Sequence, residues 1–99
     1  MLTLPIKKQW YDMIVAGIKK EEYREICPYY AVRFRMNGRC QATSRKELKT
    51  YRLRAGYRQD SPTCEITCWI DVGRGIAEWG AVPGTEYYRL HIEDVREVA

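Results

Sequence analysis

The sequence has few of the residues that build the commoner metal and redox centres. Its 99 residues contain one histidine, His91, with no second ligand nearby, and its four cysteines form no Cys-x-x-Cys pair. Apolar runs are also short, and none approaches the about 20 residues of a membrane-spanning helix. We therefore expect no metal, no cofactor and no membrane partner.

The cysteines are more typical of free thiols than of a disulfide framework. Cys64 and Cys68 lie four positions apart in a segment with strand-like alternation, where four residues span about 13 Å. That separation exceeds the reach of a disulfide or of two ligands on one metal ion. The first residues also lack the basic and then apolar pattern of a secretion signal. We expect four free thiols that fill apolar space, in a cytoplasmic protein.

Length and composition predict one domain, residues 1–99, with a single small core; 45% of the residues are hydrophobic and 30% are charged. The charge is unevenly spread. Residues 33–58 hold nine basic residues and one acid, hence +8, whereas the eight basic and twelve acidic residues elsewhere give −4. Such a segment either attracts a polyanion or forms a solvated surface, and charge alone leaves the two interpretations even.

Two helices are predicted in the first half of the chain. The apolar residues of the first recur at helical spacing, and they are Ile6, Trp10, Met13 and Ile14. They predict a helix over residues 7–16 that ends at Gly17. Pro28 is typical of the first turn of a second short helix, which stops at Asn37-Gly38. The polar segment 38–50 predicts a loop, with at most one helical turn from Ser44.

Alternation of apolar and polar residues predicts the strands. They cover residues 2–6, 19–26, 51–57, 64–72 and 87–92. In the strand predicted over residues 51–57, Tyr57 falls on the inner side of the sheet and the arginines fall on the outer side. The fourth is broken by residues 73–75, and a type II turn over 82–85 precedes the last. We predict an α+β domain with a small, strongly bent sheet, and a closed or nearly closed barrel would remove its exposed edges.

Residues 17–24 contain the densest group of charged side chains that could take part in catalysis or binding. Glu22 and Arg24 are two apart on a predicted strand, so they share a face at a spacing of about 7 Å. Lys19 lies at the junction of loop and strand. A lysine beside a carboxylate can act as a general base or nucleophile when burial lowers its pKa. The alternative, favoured on composition alone, is a hydrated surface strand with weak ion pairs.

Gly17, Lys19, Glu22 and Arg24 match the G-x-K-x-x-E-x-R pattern of the ASCH domain family. The chain resembles small stand-alone members of that family over nearly its whole length, except for the basic region within 38–58. The flanking segments that share the resemblance are residues 4–7 with Trp10, 73–75, 78–81, 83–84 and 87–88. The resemblance implies a PUA-like β-barrel of about five to six strands, with two short helices at its rim and a cleft lined by the motif.

The resemblance also implies a link to RNA, because family members are similar to PUA RNA-binding domains and are proposed to act in RNA binding or processing. One branch is an amidohydrolase that removes the acetyl group from N4-acetylcytidine. It uses the motif lysine, a threonine three residues later and a distal glutamate. Here Lys19 corresponds to the lysine, Glu78 is the candidate glutamate, and Glu22 stands at the threonine position, where an ionised carboxylate cannot donate as a hydroxyl does.

Under a binding hypothesis, the partner is RNA or a nucleotide. Arg52 and Arg54 would neutralise phosphates, and Arg24 with Glu22 would pair with a base edge. The candidate stacking rings are Tyr23, Trp69, Trp79 and Tyr87. Trp69 is the ring that alternation points most clearly outward.

Under an enzyme hypothesis, the same cleft hydrolyses a modified nucleoside. Lys19 would activate water or attack, Glu78 would shuttle the proton, and Arg24 would stabilise developing negative charge. The basic segment favours a polymer over a nucleoside, which carries no phosphate. A third alternative is a protein-interaction module that turns its basic face to an acidic partner.

Overall fold

The computed structural model describes residues 1–35 and 47–98. Their elements, in chain order, are β1 (Thr3–Pro5), α1 (Lys8–Val15), β2 (Glu21–Arg24), α2 (Pro28–Arg33), β3 (Lys49–Arg54), β4 (Thr63–Arg74), a 3₁₀ turn (Ala77–Trp79) and β5 (Glu86–Val98). The predicted helix stop at Asn37-Gly38 and the helical turn predicted from Ser44 lie outside the described residues. No helix in the described ranges is both long enough and apolar enough to cross a membrane.

The strands form one mixed sheet in the order β1-β3-β4-β5-β2, curled into a half-barrel. Neighbouring strands are antiparallel except for β1 and β3, which are parallel. The edge strands β1 and β2 have only three and four residues, and short edges limit pairing with other chains. The α+β class and the small bent sheet are therefore confirmed, with the barrel open between β1 and β2.

The core lies inside the curl, and β4 contributes much of it. Alternate residues of β4 from Cys64 to Ile70 are buried, as the sequence pattern predicts. Cys64 and Cys68 are free and 0% exposed, and Cys27 is also free, whereas Cys40 lies outside the described residues. Burial raises the pKa of the Cys64 thiol to about 11 and that of Cys68 to about 12. Both thiols are neutral apolar fillers at physiological pH.

Helix α1 begins and ends within one residue of its predicted bounds, whereas α2 begins at Pro28 as predicted but ends at Arg33, before the predicted stop at Asn37-Gly38. Helix α1 packs Tyr11 and Ile14 into the core and is followed by Gly17, whose φ of 77° is the left-handed value that suits glycine after a helix. Helix α2 begins at Pro28 and itself buries no residue fully. It delivers the buried Phe34 to the core, and that ring contacts the rings of Tyr30, Tyr51 and Tyr88.

Several strand ends differ from the sequence-based prediction: β2 is shorter, β5 is longer and continues to Val98, and β3 and β4 end at other residues. Strand β3 ends at Arg54, and Tyr57, predicted to face inward, is 90% exposed because the chain turns at Gly56, which has φ 128°. Strand β4 continues through Gly73 to Arg74 instead of breaking there. The Arg89 guanidinium lies over Gly73, where a Cβ would come within 2.5 Å of its Cζ. Glycine therefore makes room for a side chain at this position and does not end the strand.

Burial at β3 yields a direct stability prediction. Leu53 is fully buried, so Leu53→Ala leaves a cavity and is expected to lower the free energy of unfolding by about 3 kcal/mol. Tyr57→Ala, three residues after the strand, is expected to change it by less than about 0.5 kcal/mol. Urea unfolding measures both variants. Equal effects would place residue 57 in the core and contradict the observed end of β3.

Candidate functional site

The loop after α1 and strand β2 bring the three charged motif residues together. Gly17 turns the chain so that Lys19 points back toward β2, where Glu22 and Arg24 occupy alternate positions. Glu22 Oε1 lies 3.3 Å from Lys19 Nζ, and Glu22 Oε2 lies 2.7 Å from Arg24 Nη2. We call Lys19, Glu22 and Arg24 the ion cluster. Its single carboxylate bridges two cations.

Lys19 is buried, with 1% of its surface exposed. Besides Glu22, its ammonium donates hydrogen bonds to the carbonyl oxygens of Glu21 and Trp79, the latter at 2.8 Å. These three acceptors match the three N–H bonds of an ammonium. The rings of Trp10 and Tyr23 lie 5.6 and 4.7 Å from Nζ and add cation–π contacts. Every donor of this buried cation is therefore used.

These contacts decide what Lys19 can do chemically. Burial lowers the pKa of Lys19, and the adjacent Glu22 carboxylate acts in the opposite direction. An ammonium with all three protons engaged offers no lone pair for attack or proton abstraction. In this arrangement Lys19 is a tie between β2 and the 3₁₀ turn. It would have to leave its acceptors before acting as a base or nucleophile.

Arg24 connects parts of the fold that the sheet leaves apart. Its Nη2 donates to the carbonyl oxygen of Pro5 at 2.7 Å, and its Nη1 donates to the Tyr30 hydroxyl at 3.3 Å. Pro5 ends β1, whereas Arg24 ends β2, so one side chain spans the two sheet edges and also contacts α2. The side chains of Lys19, Glu22 and Arg24 are 0%, 8% and 11% exposed. The three charged side chains are thus enclosed, whereas Gly17 and Lys19 also belong to the wall of a surface depression of about 210 Å³.

The candidate distal acid lies near the ion cluster without joining it. Glu78 is exposed on the 3₁₀ turn, one residue before Trp79, whose carbonyl oxygen binds Lys19. Within the described ranges, no hydrogen bond or ion pair links the Glu78 carboxylate to Lys19. The structure brings the two residues to adjoining backbone but not into contact.

The candidate stacking rings are half-buried and engaged by the protein. The Tyr23 hydroxyl donates to Glu21 Oε1 and accepts from the Ile76 amide, and burial raises the pKa of Tyr23. Trp69 lies on the outer face, as predicted, but His91 stacks on it at 3.8 Å with the two planes 6° apart. Its Nε1 donates to Glu93. The Tyr87 hydroxyl accepts from the Val82 amide, so these three rings already have structural partners. The fourth candidate, Trp79, is half-buried and contacts Lys19 through its carbonyl oxygen.

The outer face of the sheet carries a second group of charged side chains, which the sequence patterns did not predict. Asp71 on β4 accepts two hydrogen bonds from Arg89 and lies 2.8 Å from His91 Nε2. His91 Nδ1 faces Glu21 on β2 at 3.5 Å. The signal that could have found the group is strand register, because Asp71 pairs with Arg89 and Trp69 with His91 across β4 and β5.

The predicted phosphate contacts Arg52 and Arg54 share the outer face of β3 but differ in their partners. Arg52 Nε lies 3.3 Å from a Glu65 carboxylate that also binds Arg96. Arg54 has no hydrogen bond or ion pair from its guanidinium to any residue that the structure describes, and its Nε is buried. Both arginines line a depression of about 340 Å³.

A second basic depression, of about 280 Å³, is lined by Arg33, Arg35 and Lys49 together with Leu2 and Tyr51. We call it the basic depression. Lys49 donates to the Phe34 carbonyl oxygen and Arg33 to that of Tyr29. The Arg33 guanidinium lies 3.4 Å from the centre of the Tyr29 ring. Among the described residues, no acidic side chain lines this depression and none of its three cations pairs with a carboxylate.

Comparison of the chain with known protein families, with curated proteins and with solved structures found no match in any of the three. Likeness to the ASCH family therefore rests on the motif and its flanking segments. Among the described residues, no group of three or more His, Cys, Asp or Glu side chains is placed to hold a metal ion.

The ion cluster yields a prediction for Glu22. Glu22→Gln leaves the buried Lys19 ammonium without its counter-charge, so we expect the free energy of unfolding to fall by about 3 kcal/mol. Glu25→Gln makes the same chemical change at an exposed position just after β2. We expect that control to stay within about 0.5 kcal/mol of the parent in urea unfolding. Equal losses in the two variants would show that the cluster contributes no more than a surface charge.

Asp71 yields a prediction for pH dependence. Burial alone would raise the pKa of Asp71, but hydrogen bonds from Arg89 and His91 hold it below its ordinary value. A lowered carboxyl pKa stabilises the fold above the unfolded-state value of about 4, and this stabilisation is lost as pH falls through the folded-state pKa. The parent should thus exceed Asp71→Asn in stability at neutral pH, and the gap should close in acid. A gap that is constant from about pH 2 to 7 would contradict the pairing.

Proposed function

We propose that this chain is a PUA-like domain of the ASCH type that binds RNA or a nucleotide and acts in RNA binding or processing. The observation that supports it best is the basic depression, where three cations converge and, among the described residues, none is paired with a carboxylate. Proteins that bind single strands combine such a cationic groove with aromatic rings on which bases stack. Both parts are present here on neighbouring residues.

The cations of the basic depression are held in place without being neutralised. Lys49 and Arg33 donate to main-chain carbonyl oxygens, which orient the charged groups but carry no net charge. The charge is therefore available to a phosphate, whose oxygens form stronger, charge-assisted hydrogen bonds. The neighbouring sequence 36–46 adds three basic residues and no acid. Glu47 follows, so the sequence between Arg35 and Lys49 carries a net charge of +2.

An aromatic surface adjoins these cations. Tyr29 is 54% exposed, and the Arg33 guanidinium is stacked against its ring. A planar guanidinium on a ring presents a flat surface of the kind on which a nucleobase stacks. In this proposal Tyr29 and Arg33 take the stacking role, because the rings of Tyr23 and Trp69 are already engaged.

The ion cluster positions this surface and does not touch the ligand. Arg24 donates to the Tyr30 hydroxyl, and Tyr30 lies on the same short helix as Tyr29 and Arg33. Because α2 buries none of its own residues fully, this contact and the following Phe34 supply much of what fixes it. The motif would thus serve binding by holding α2 against the sheet.

The amidohydrolase alternative is less well supported. Its lysine would need a free lone pair, whereas Lys19 uses all three protons in hydrogen bonds and is closed to solvent. Glu22 also stands where that branch has a hydroxyl donor. Glu78 is free in the described structure, but free carboxylates are common on surfaces. We therefore place binding first.

Fluorescence anisotropy with a labelled single-stranded RNA of about 12 nucleotides tests the proposal. We expect binding that weakens steeply between about 50 and 500 mM salt, with a slope that falls by about 0.7 for each phosphate contact removed. The double variant Arg33→Gln/Arg35→Gln should weaken binding about tenfold or more. Arg58→Gln removes a charge from the same basic segment outside the basic depression and should have a small effect.

Two outcomes would overturn the proposal. One is the absence of RNA binding at low salt, and the other is an affinity that does not respond to salt. Incubation with N4-acetylcytidine should release no acetate. Turnover by the parent that disappears in Glu78→Gln would favour the amidohydrolase instead. Glu78 is the suitable position for this variant because its exposed side chain carries no contact on which folding depends.

A further inference from the structure

Strand β3 separates two basic surfaces. Tyr51 and Leu53 are buried in the core, so the alternating residues Arg52 and Arg54 project to the outer face. Lys49, which lines the basic depression, has the opposite parity. Arg52 and Arg54 therefore belong to a different surface from the basic depression.

Arg54 lacks a carboxylate partner among the described residues, as does Arg74 at the end of β4, but Arg54 is half-buried whereas Arg74 is exposed. Arg52, Arg89 and Arg96 each pair with a carboxylate. The Arg54 guanidinium has no partner within the described residues, and its Nε is buried with no acceptor. A buried polar group without an acceptor is costly and calls for an explanation, such as a bound ion or water. Arg24 Nε is also buried without an acceptor, so what distinguishes Arg54 is that its guanidinium lacks a charged partner among the described residues and lines a depression.

The depression offers further donors around Arg54. It has a volume of about 340 Å³, and its wall includes Arg52, Ser61 and Thr63. The Thr63 hydroxyl donates to the Ser61 carbonyl oxygen, so it is committed, whereas the Ser61 hydroxyl has no partner in the described structure. One carboxylate, Asp60, is also in the wall, at an exposed position. Arg52 is already paired with Glu65, so Arg54 and the Ser61 hydroxyl are among the unpaired donors that remain in the described wall.

We propose that this depression binds a phosphate group, with the Arg54 guanidinium donating two hydrogen bonds and Ser61 a third. A guanidinium fork matches both carboxylates and phosphates. A planar carboxylate has two oxygens, which the fork alone fills. A phosphate has further oxygens out of that plane, which Ser61 and the charge of Arg52 can satisfy. The site extends the proposed function to a second contact point, but it does not require that function to be correct.

Side-chain NMR tests the proposal on the intact protein. In ¹H–¹⁵N spectra the Arg54 Nε–Hε signal is the one missing from Arg54→Gln. Inorganic phosphate and cytidine monophosphate should shift that signal saturably, whereas cytidine and sodium chloride at matched ionic strength should not. Ser61→Ala should weaken phosphate binding about threefold or more, because one donor is lost. Arg35→Gln, on the other surface, should leave it unchanged.

Measuring RNA binding by the Arg54→Gln variant distinguishes the two possible sources of the phosphate. If Arg54→Gln weakens RNA binding, the site holds a phosphodiester of the RNA. If RNA affinity is unchanged while the phosphate shift persists in the parent, the site takes a free nucleotide. Equal shifts of all arginine signals with phosphate, or equal binding of acetate, would overturn the proposal. Should Arg54→Gln fail to fold, Ser61→Ala alone decides, since an unchanged phosphate affinity would contradict the site.

This test and the test of the proposed function fail independently. If the Arg33→Gln/Arg35→Gln variant binds RNA as well as the parent does, the proposed function is contradicted. The shift of the Arg54 signal with phosphate would still support the site at Arg54. The reverse outcome, RNA binding through the basic depression with no phosphate response at Arg54, removes only this inference.

Discussion

The Glu22 carboxylate is the contact on which the rest of the structure depends. It compensates two buried cations, and each cation reaches a different part of the fold. Lys19 binds the Trp79 carbonyl oxygen on the 3₁₀ turn, and Arg24 binds the Pro5 carbonyl oxygen at the end of β1. Because β1 and β2 are the unpaired edges of a half-barrel, the Arg24 contact joins strands that main-chain hydrogen bonds do not join. Without the carboxylate, two cations would lie buried and uncompensated.

The enclosure of the ion cluster limits which functions its residues can perform. Charged groups that act on a substrate must be reachable, whereas Lys19 and Glu22 are sealed between α1, β2 and the 3₁₀ turn. Their charged groups hold elements of the fold together. Arg24, the third member of the ion cluster, also contacts α2 by donating to the Tyr30 hydroxyl. The reachable charge lies elsewhere, around Arg33 on one surface and Arg54 on the other. Under the proposed function, the motif would therefore serve binding by fixing the position of α2.

Sequence patterns were most informative where burial has a regular period. The apolar stripe of α1, Gly17 and the alternation of β4 all predicted the observed elements, because each depends on local spacing. The second half of β5 was missed because residues 93–98 do not alternate, and they are held by pairing with β4. The motif spacing brought Glu22 and Arg24 to one face, but it could not reveal their enclosure, which depends on Trp79, distant in sequence. The Asp71–His91 contact likewise needed the strand register.

Hydrogen exchange in Glu22→Gln tests the central claim most directly. The Ile92 amide donates to the Lys20 carbonyl oxygen, and the Ala81 amide donates to that of Ile76, so both report on segments tied by the ion cluster. If Glu22 holds these segments closed, both amides should lose at least about tenfold protection, while amides in the centre of β4 lose far less. Unchanged protection at Ile92 and Ala81, or an equal loss throughout the sheet, would contradict the claim.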